Sequence, residues 1–387
     1  MERLKQAAGH TKDVATLPPR LLDMYSEFIT KNAGAVGQVE GALRSLTYII
    51  PGRFRESEIA SESLNSGVQL LGLYHDDLLS RSLAHSLRHK PQTLHNRYTR
   101  FYCQKSSTYK RTALTLSCVQ YTELLLEMMA KRRGEKARWR VVVLLEAVKA
   151  LCRLILMRLT NSRPLLNPPL PEREVQEEKP TTDEDDTIHS PPSEESEVSH
   201  AGSEKWTMPR TSLTLPPLPS SEDISSYLLS KVLTADDVKP PKALLQPTAG
   251  FGEIAEVIYI LRPLIYTSAM AYWSQRQDGK GKADWRPWLI GLSIEYGARQ
   301  LAKRDLETRR PGGARGLTQL ERDEFKKRSW GMAWWGMRGA FYENVTRGMI
   351  LGFAGKLKGK PLLDMVGTFV EDYDFLWEQY YFPTATL

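Results

Sequence analysis

Cysteine is scarce: Cys103, Cys118 and Cys152 are the only three in 387 residues, too few and too widely spaced for a disulfide framework or a zinc knuckle. That scarcity implies a reducing compartment in which the thiols act as small core hydrophobes. From Met1 to Pro19 the chain is polar and mixed in charge, without the apolar stretch of a cleavable secretory signal, so secretion is not expected. No phosphate loop, dinucleotide fingerprint or nucleophile elbow occurs, and no segment alternates apolar and polar residues over the length of a strand. The expectation is an all-α, non-enzymatic protein with no catalytic residue, no cofactor and no metal.

Proline is abundant in one place and sparse elsewhere. Of 23 prolines, 14 fall between Asn161 and Gly250, among Ser, Thr and Glu. Glu172 to Glu204 carries 12 acids and two bases, so the flanking stretches are far more basic than the net +7 suggests. Such a segment cannot bury enough apolar surface to offset backbone ordering at roughly 1 to 2 kcal/mol per residue, and reads as a disordered linker. A short amphipathic turn at Ile224 to Leu233 is its one candidate docking motif. The organisation expected is therefore an amino-terminal basic helical region, 1–160, an acidic Pro/Ser-rich linker, 161–250, and an aromatic-rich helical region, 251–387.

Helical periodicity places helices over Leu64 to Leu87, Leu114 to Met129 and Trp139 to Leu159, and further runs beginning near Glu253, Trp288, Leu317 and Leu362. Two of them invite a membrane test. Trp139 to Leu159 holds 11 Leu, Ile or Val residues, each worth about −0.3 to −0.6 kcal/mol at a bilayer centre. Glu146, Lys149 and Arg153 each cost about 2.5 to 3.5 kcal/mol there, so this helix does not insert alone. Arg138, Glu146, Lys149 and Arg153 gather in a sector of about 80°, so the helix is amphipathic; it could lie in a membrane interface, pack on other helices there, or, most simply, close on a soluble core with that sector turned to water.

The second segment, Ile254 to Trp273, has 20 residues, about 30 Å of helix, the thickness of a hydrocarbon core. Seven Leu, Ile or Val residues, Ile254 and Ile258 among them, barely outweigh the cost of Arg262 alone, and Pro263 introduces a kink. The balance predicts membrane association supported by a partner helix. Seven of nine tryptophans lie beyond residue 270, with Trp285 and Trp288 placed as interface aromatics.

Between Arg81 and Arg111 the chain is densely basic, including Arg88, His89, Lys90 and Arg97. This element suits anionic lipid or a targeting receptor, at about 1 kcal/mol per base near a charged surface. Tyr98, Phe101, Tyr102 and Tyr109 interleave with the bases, as stacking platforms do in a soluble basic nucleic-acid-binding helical protein, the alternative reading. No defined nucleic-acid motif is matched, and nucleic acid is not an expected partner. His85 and His89 have the i, i+4 spacing of helical zinc ligands, but the rest of a ligand set is missing. His75-Asp76-Asp77 reads as a polar helix face.

Several blocks, in order, resemble one family. They are Leu46 to Phe54 (LTYIIPGRF) followed by Glu58, Tyr74 to Leu79 leading into the basic element, Ile254 to Ile265, Arg286-Pro-Trp-Leu289, Arg338-Gly-Ala-Phe-Tyr342, and the aromatic tail Trp377 to Phe382. Together they resemble the peroxin sixteen family of peroxisome biogenesis, in a fungal-like member, across about three quarters of the chain. The resemblance implies two membrane-associated helical bodies and residence in the peroxisomal membrane, reached by way of the endoplasmic reticulum. It also implies a role in targeting and inserting other peroxisomal membrane proteins, with peroxin three, peroxin nineteen and peroxisomal membrane lipids as partners. Arg81 to Arg97 corresponds to the family's membrane-targeting region. The final Ala385-Thr386-Leu387 is not a matrix-targeting tripeptide, so an internal signal is expected.

Overall fold

The computed structural model describes residues 19–53, 58–86, 93–173, 236, 239–276, 284–309, 313–357, 367, 370, 371 and 374. The expected turn at Ile224 to Leu233, the run beginning near Leu362 and the acidic part of the linker, 174–235, lie outside them. Every regular element among the described residues is helical, as apolar residues recurring at three- and four-residue steps require. In order they are α1 (Pro19–Lys31), α2 (Ala33–Arg53), α3 (Glu58–Ser86), α4 (Leu94–Lys105), α5 (Ser107–Lys131), α6 (Glu135–Leu159), α7 (Phe251–Arg276), α8 (Trp285–Arg309), α9 (Gln319–Ala333) and α10 (Arg347–Leu357).

The described residues on either side of the linker, up to 173 and from 240 onward, pack on each other as one unit. Short connections force α5 and α6 into an antiparallel hairpin, and α7 and α8 into another. The hairpins meet along α6 and α7, where Trp139 Nε1 donates to Ser274 Oγ at 3.0 Å near one end. Near the other end Ser162 Oγ donates to Glu253 Oε1 at 2.9 Å. α3 runs along the far flank of α5, its Ser66 hydroxyl donating to the Tyr121 carbonyl at 2.8 Å.

The folded unit takes in both ends of what composition assigns to the linker. Asn96 exchanges two hydrogen bonds with the Glu172 backbone, and Tyr109 Oη donates to the Pro169 carbonyl, so the proline-rich strap after α6 has side-chain partners for its backbone. Leu244 and Leu245 are fully buried with Tyr98, Tyr102, Leu116 and Leu156. A capping box at Thr318 and Glu321 starts α9 and clamps this strand of chain: Thr318 Oγ1 donates to the Leu244 carbonyl at 2.6 Å, and Glu321 Oε1 accepts from the Gln246 amide at 2.9 Å. Composition reports low hydrophobicity; it does not register a few leucines and backbone groups that find partners far away in sequence.

Candidate functional site

A subset of the charged residues of α5 to α9 is paired in the interior, while others, such as Arg140, Arg158, Lys303 and Arg304, stay exposed. At the hairpin-turn end, Arg138 Nη2 and Nε donate to Glu127 Oε1 at 2.6 and 2.9 Å, with the guanidinium fully buried. Midway, Lys149 Nζ lies 2.7 Å from Glu123 Oε2 and 2.8 Å from Glu146 Oε1. At similar depth on the α7–α8 side, Arg262 Nη1 is 2.7 Å from Glu295 Oε2, with both side chains under 5% exposed, and its guanidinium stacks over Tyr259. At the opposite end Arg328 from α9 grips both oxygens of Glu256 at 2.7 Å. Bidentate and charge-assisted bonds of this kind make a buried charge tolerable.

The outward surface is the complement of that interior. On α6, between the exposed Arg140 and Arg158, the most exposed side chains are Leu144 and Leu151. The exposed large apolar side chains of α7 are Phe251, Ile254, Ile265 and Tyr272 and those of α8 Trp285, Leu289 and Tyr296, with exposed polar side chains such as Arg276, Arg286, Lys303 and Arg304 toward the helix ends. The charged sector of Trp139 to Leu159, expected to face water, faces inward instead: Glu146 and Lys149 are buried and Arg153 half-buried. The physical reason is that their counter-charges sit on neighbouring helices, so the apolar arc is the one left outside.

Among the residues singled out in the membrane segment, Ile254 is exposed, Ile258 and Trp273 half-buried, and Arg262 and Pro263 buried. Trp285 is exposed and stacks edge-on against Trp288. Trp288 is half-buried, its indole Nε1 donating to the Trp335 carbonyl at 2.9 Å. Of the basic element, Arg97 is half-buried on α4; the Arg81 side chain and Arg88, His89 and Lys90 lie outside the described residues.

Other expectations are revised. Tyr98, Tyr102 and Tyr109 are core residues rather than stacking platforms, and Phe101 packs against that core beneath the Lys242 ammonium, so the nucleic-acid reading loses its bases' landing surface. His75 lies in the middle of α3, not on a polar face. It is buried, paired with Glu40 and sharing a 2.6 Å hydrogen bond with Tyr25 Oη. Arg173 joins this cluster through Glu40 at 3.0 Å and Asp76 at 2.7 Å; burial pushes the Asp76 carboxyl up, and Arg173 opposes it. His95 Nε2 hydrogen-bonds the Pro168 carbonyl at 3.0 Å. No cluster of metal-ligating residues forms among the described residues.

Glu295 and Glu123, the residues that neutralise Arg262 and Lys149, carry no motif. The one signal for Glu295 is that it is the only charge between Trp288 and Ala298.

A helical protein that pairs its buried charges and leaves apolar side chains exposed along the middle of its long helices has an organisation compatible with contact with lipid. The family comparison agrees with that class. The family of peroxisomal membrane proteins described as Pex16 matches residues 23–379. The chain is 21% identical to the peroxisomal membrane protein PEX16 of Schizosaccharomyces pombe over 317 residues, covering 81% of this chain and 83% of that protein. It is 22% identical to peroxisome biogenesis protein 16 of Arabidopsis thaliana over 362 residues, covering 88% and 94%. No solved structure matches. The chain belongs to the Pex16 family, and it is a peroxisome biogenesis protein of the peroxisomal membrane.

Proposed function

We propose that the protein is a non-enzymatic docking and assembly factor, anchored in the peroxisomal membrane through α7, that helps target and insert other peroxisomal membrane proteins. The observation that carries the anchoring is the Arg262–Glu295 pair. α7 is the one described helix that by length and composition could cross a bilayer, and Arg262, at its middle, is the charge that most opposes its entry. With the guanidinium held by Glu295 on α8, the outward face of α7 presents Ile254, Ile258, Leu261, Ile265 and Tyr272. α8 is thus the partner helix that marginal segment requires. Trp285, exposed beside the α7–α8 connection, suits the headgroup level.

The basic element from Arg81 to Arg97 serves as the targeting region, read by the shuttling receptor peroxin nineteen or by anionic lipid. Peroxin three is the docking partner, and the endoplasmic reticulum is a route of delivery. The test uses cells deleted for their own copy. A tagged full-length chain should restore peroxisomes and the peroxisomal placement of other membrane proteins, and should fractionate with peroxisomes in a form resistant to alkaline carbonate. A chain found in the cytosol, or one that is membrane-bound but restores nothing, would reject the reading.

A further inference from the structure

The α5–α6 hairpin has the same construction as α7–α8. Between Arg111 and Lys131, α5 carries two charged side chains, Glu123 and Glu127, and both reach inward to cations of α6. Between Arg140 and Arg158, α6 carries Glu146, Lys149 and Arg153, none of them on the exposed face. The charge-free outward runs, 112–130 and 141–157, are about 28 and 26 Å long at ~1.5 Å per residue, close to a hydrocarbon core of about 30 Å.

Threonine hydroxyls on these helices are satisfied by their own backbone. Thr115 Oγ1 donates to the Arg111 carbonyl and Thr122 Oγ1 to the Cys118 carbonyl, each at 2.9 Å, as Ser268 Oγ does to the Leu264 carbonyl on α7 at 2.7 Å. Exposed bases close the apolar band at both ends. Arg132, Arg133, Lys136 and Arg276 lie at the hairpin turns, and Arg111, Arg158, Lys303 and Arg304 at the other end. α3 covers the remaining flank of α5 and shows no charged residue on its exposed face between Ile59 and Tyr74.

We propose that the α5–α6 hairpin crosses the bilayer alongside α7–α8, the two hairpins enclosing an internal ladder of ion pairs. This rests on the anchoring of α7 argued above. α6 fails as a lone span because three charges would meet lipid; within the hairpin Lys149 meets Glu123 and Glu146 instead. The topology follows from the antiparallel order. The α5–α6 and α7–α8 connections share one face of the membrane, and Ser107 at the start of α5, the strap from Asn161 and the start of α9 share the other.

The test is cysteine mapping of the full chain in sealed organelles, in a background with Cys103, Cys118 and Cys152 replaced by alanine. Three exposed positions are used one at a time: Ser107→Cys, Arg133→Cys and Gln275→Cys. A membrane-impermeant maleimide should place Arg133→Cys and Gln275→Cys on one side and Ser107→Cys on the other, the protected group gaining at least tenfold in labelling after permeabilisation. Arg133→Cys and Ser107→Cys on the same side, with Gln275→Cys opposite, would overturn the second hairpin while leaving α7 anchored. Release of the whole chain by alkaline carbonate would overturn the anchoring itself. A variant labelled fully before permeabilisation at all three positions would reject any crossing by either hairpin.

Discussion

Replacing Glu295 by leucine tests the charged core most directly. The carboxylate is buried between the Arg262 guanidinium and the Trp335 indole, whose Nε1 donates to Glu295 Oε2. Its removal strands two buried donors at once. An uncompensated buried charge costs about 3 to 5 kcal/mol, and an unpaired buried N–H a further 1 to 3 kcal/mol or so. Even the lower figure, about 3 kcal/mol, shifts the folded population roughly 150-fold, at tenfold per 1.4 kcal/mol. Arg262→Leu should cost less than Glu295→Leu, because the Glu295 carboxylate keeps the Trp335 donor. The double variant, Arg262→Leu with Glu295→Leu, should recover most of the loss, since a buried ion pair exchanged for apolar side chains is often neutral. The assay is thermal stability of a fluorescent fusion in mild detergent, followed by size exclusion. If Glu295→Leu melts with the parent, the pair is not buried as described. If the double variant is no better than Glu295→Leu, the two residues do not act on each other.

Three further outcomes are expected. Gly291 sits where a Cβ would collide with the Trp335 ring and come within 3.0 Å of Tyr266, so Gly291→Ala should destabilise the unit by about 1 to 3 kcal/mol in the same assay, with Gly297→Ala, in open space on the same helix, as the tolerated control. Thr318→Ala removes the α9 cap and the bond to the Leu244 carbonyl; a loss of about 1 to 2 kcal/mol and earlier proteolysis within 240–250 should follow, while Thr318→Ser should retain most of the stability. The Cys103 thiol is pushed up to about 11 by burial, against the pull of Lys110. In the folded protein it should therefore resist iodoacetamide at pH 8, where about one thiol in a thousand is ionised, and react about tenfold faster per pH unit from 8 to 10; rapid alkylation at pH 8 would show the site to be open.

Much of the fold is written locally. The helices at 58–86, 107–131, 135–159, 251–276 and 285–309 follow from spacing that any reader of the sequence can count, and their starts and stops follow Pro, Gly and capping residues. α1, α2, α4 and α10 are less evident, because their apolar residues are mixed with Gly, Ser and Tyr and their stability comes from what they lie against. The strap from Asn161 to Arg173 shows the same limit: its prolines and acids resemble linker, and its place in the fold depends on Asn96, Tyr109 and Glu40.

The sequence by itself determined that the chain is helical, that its middle is acidic and proline-rich, that no catalytic motif is present, and that Arg262, at the middle of 254–273, opposes the entry of that segment into a bilayer. Only the tertiary structure decided which way the charged arc of α6 points and which residue answers Arg262. Periodicity fixes the angle between side chains on one helix, whereas the direction of that helix's faces depends on counter-charges carried by others. Glu295 lies 33 positions from Arg262 in sequence and 2.7 Å from it in space.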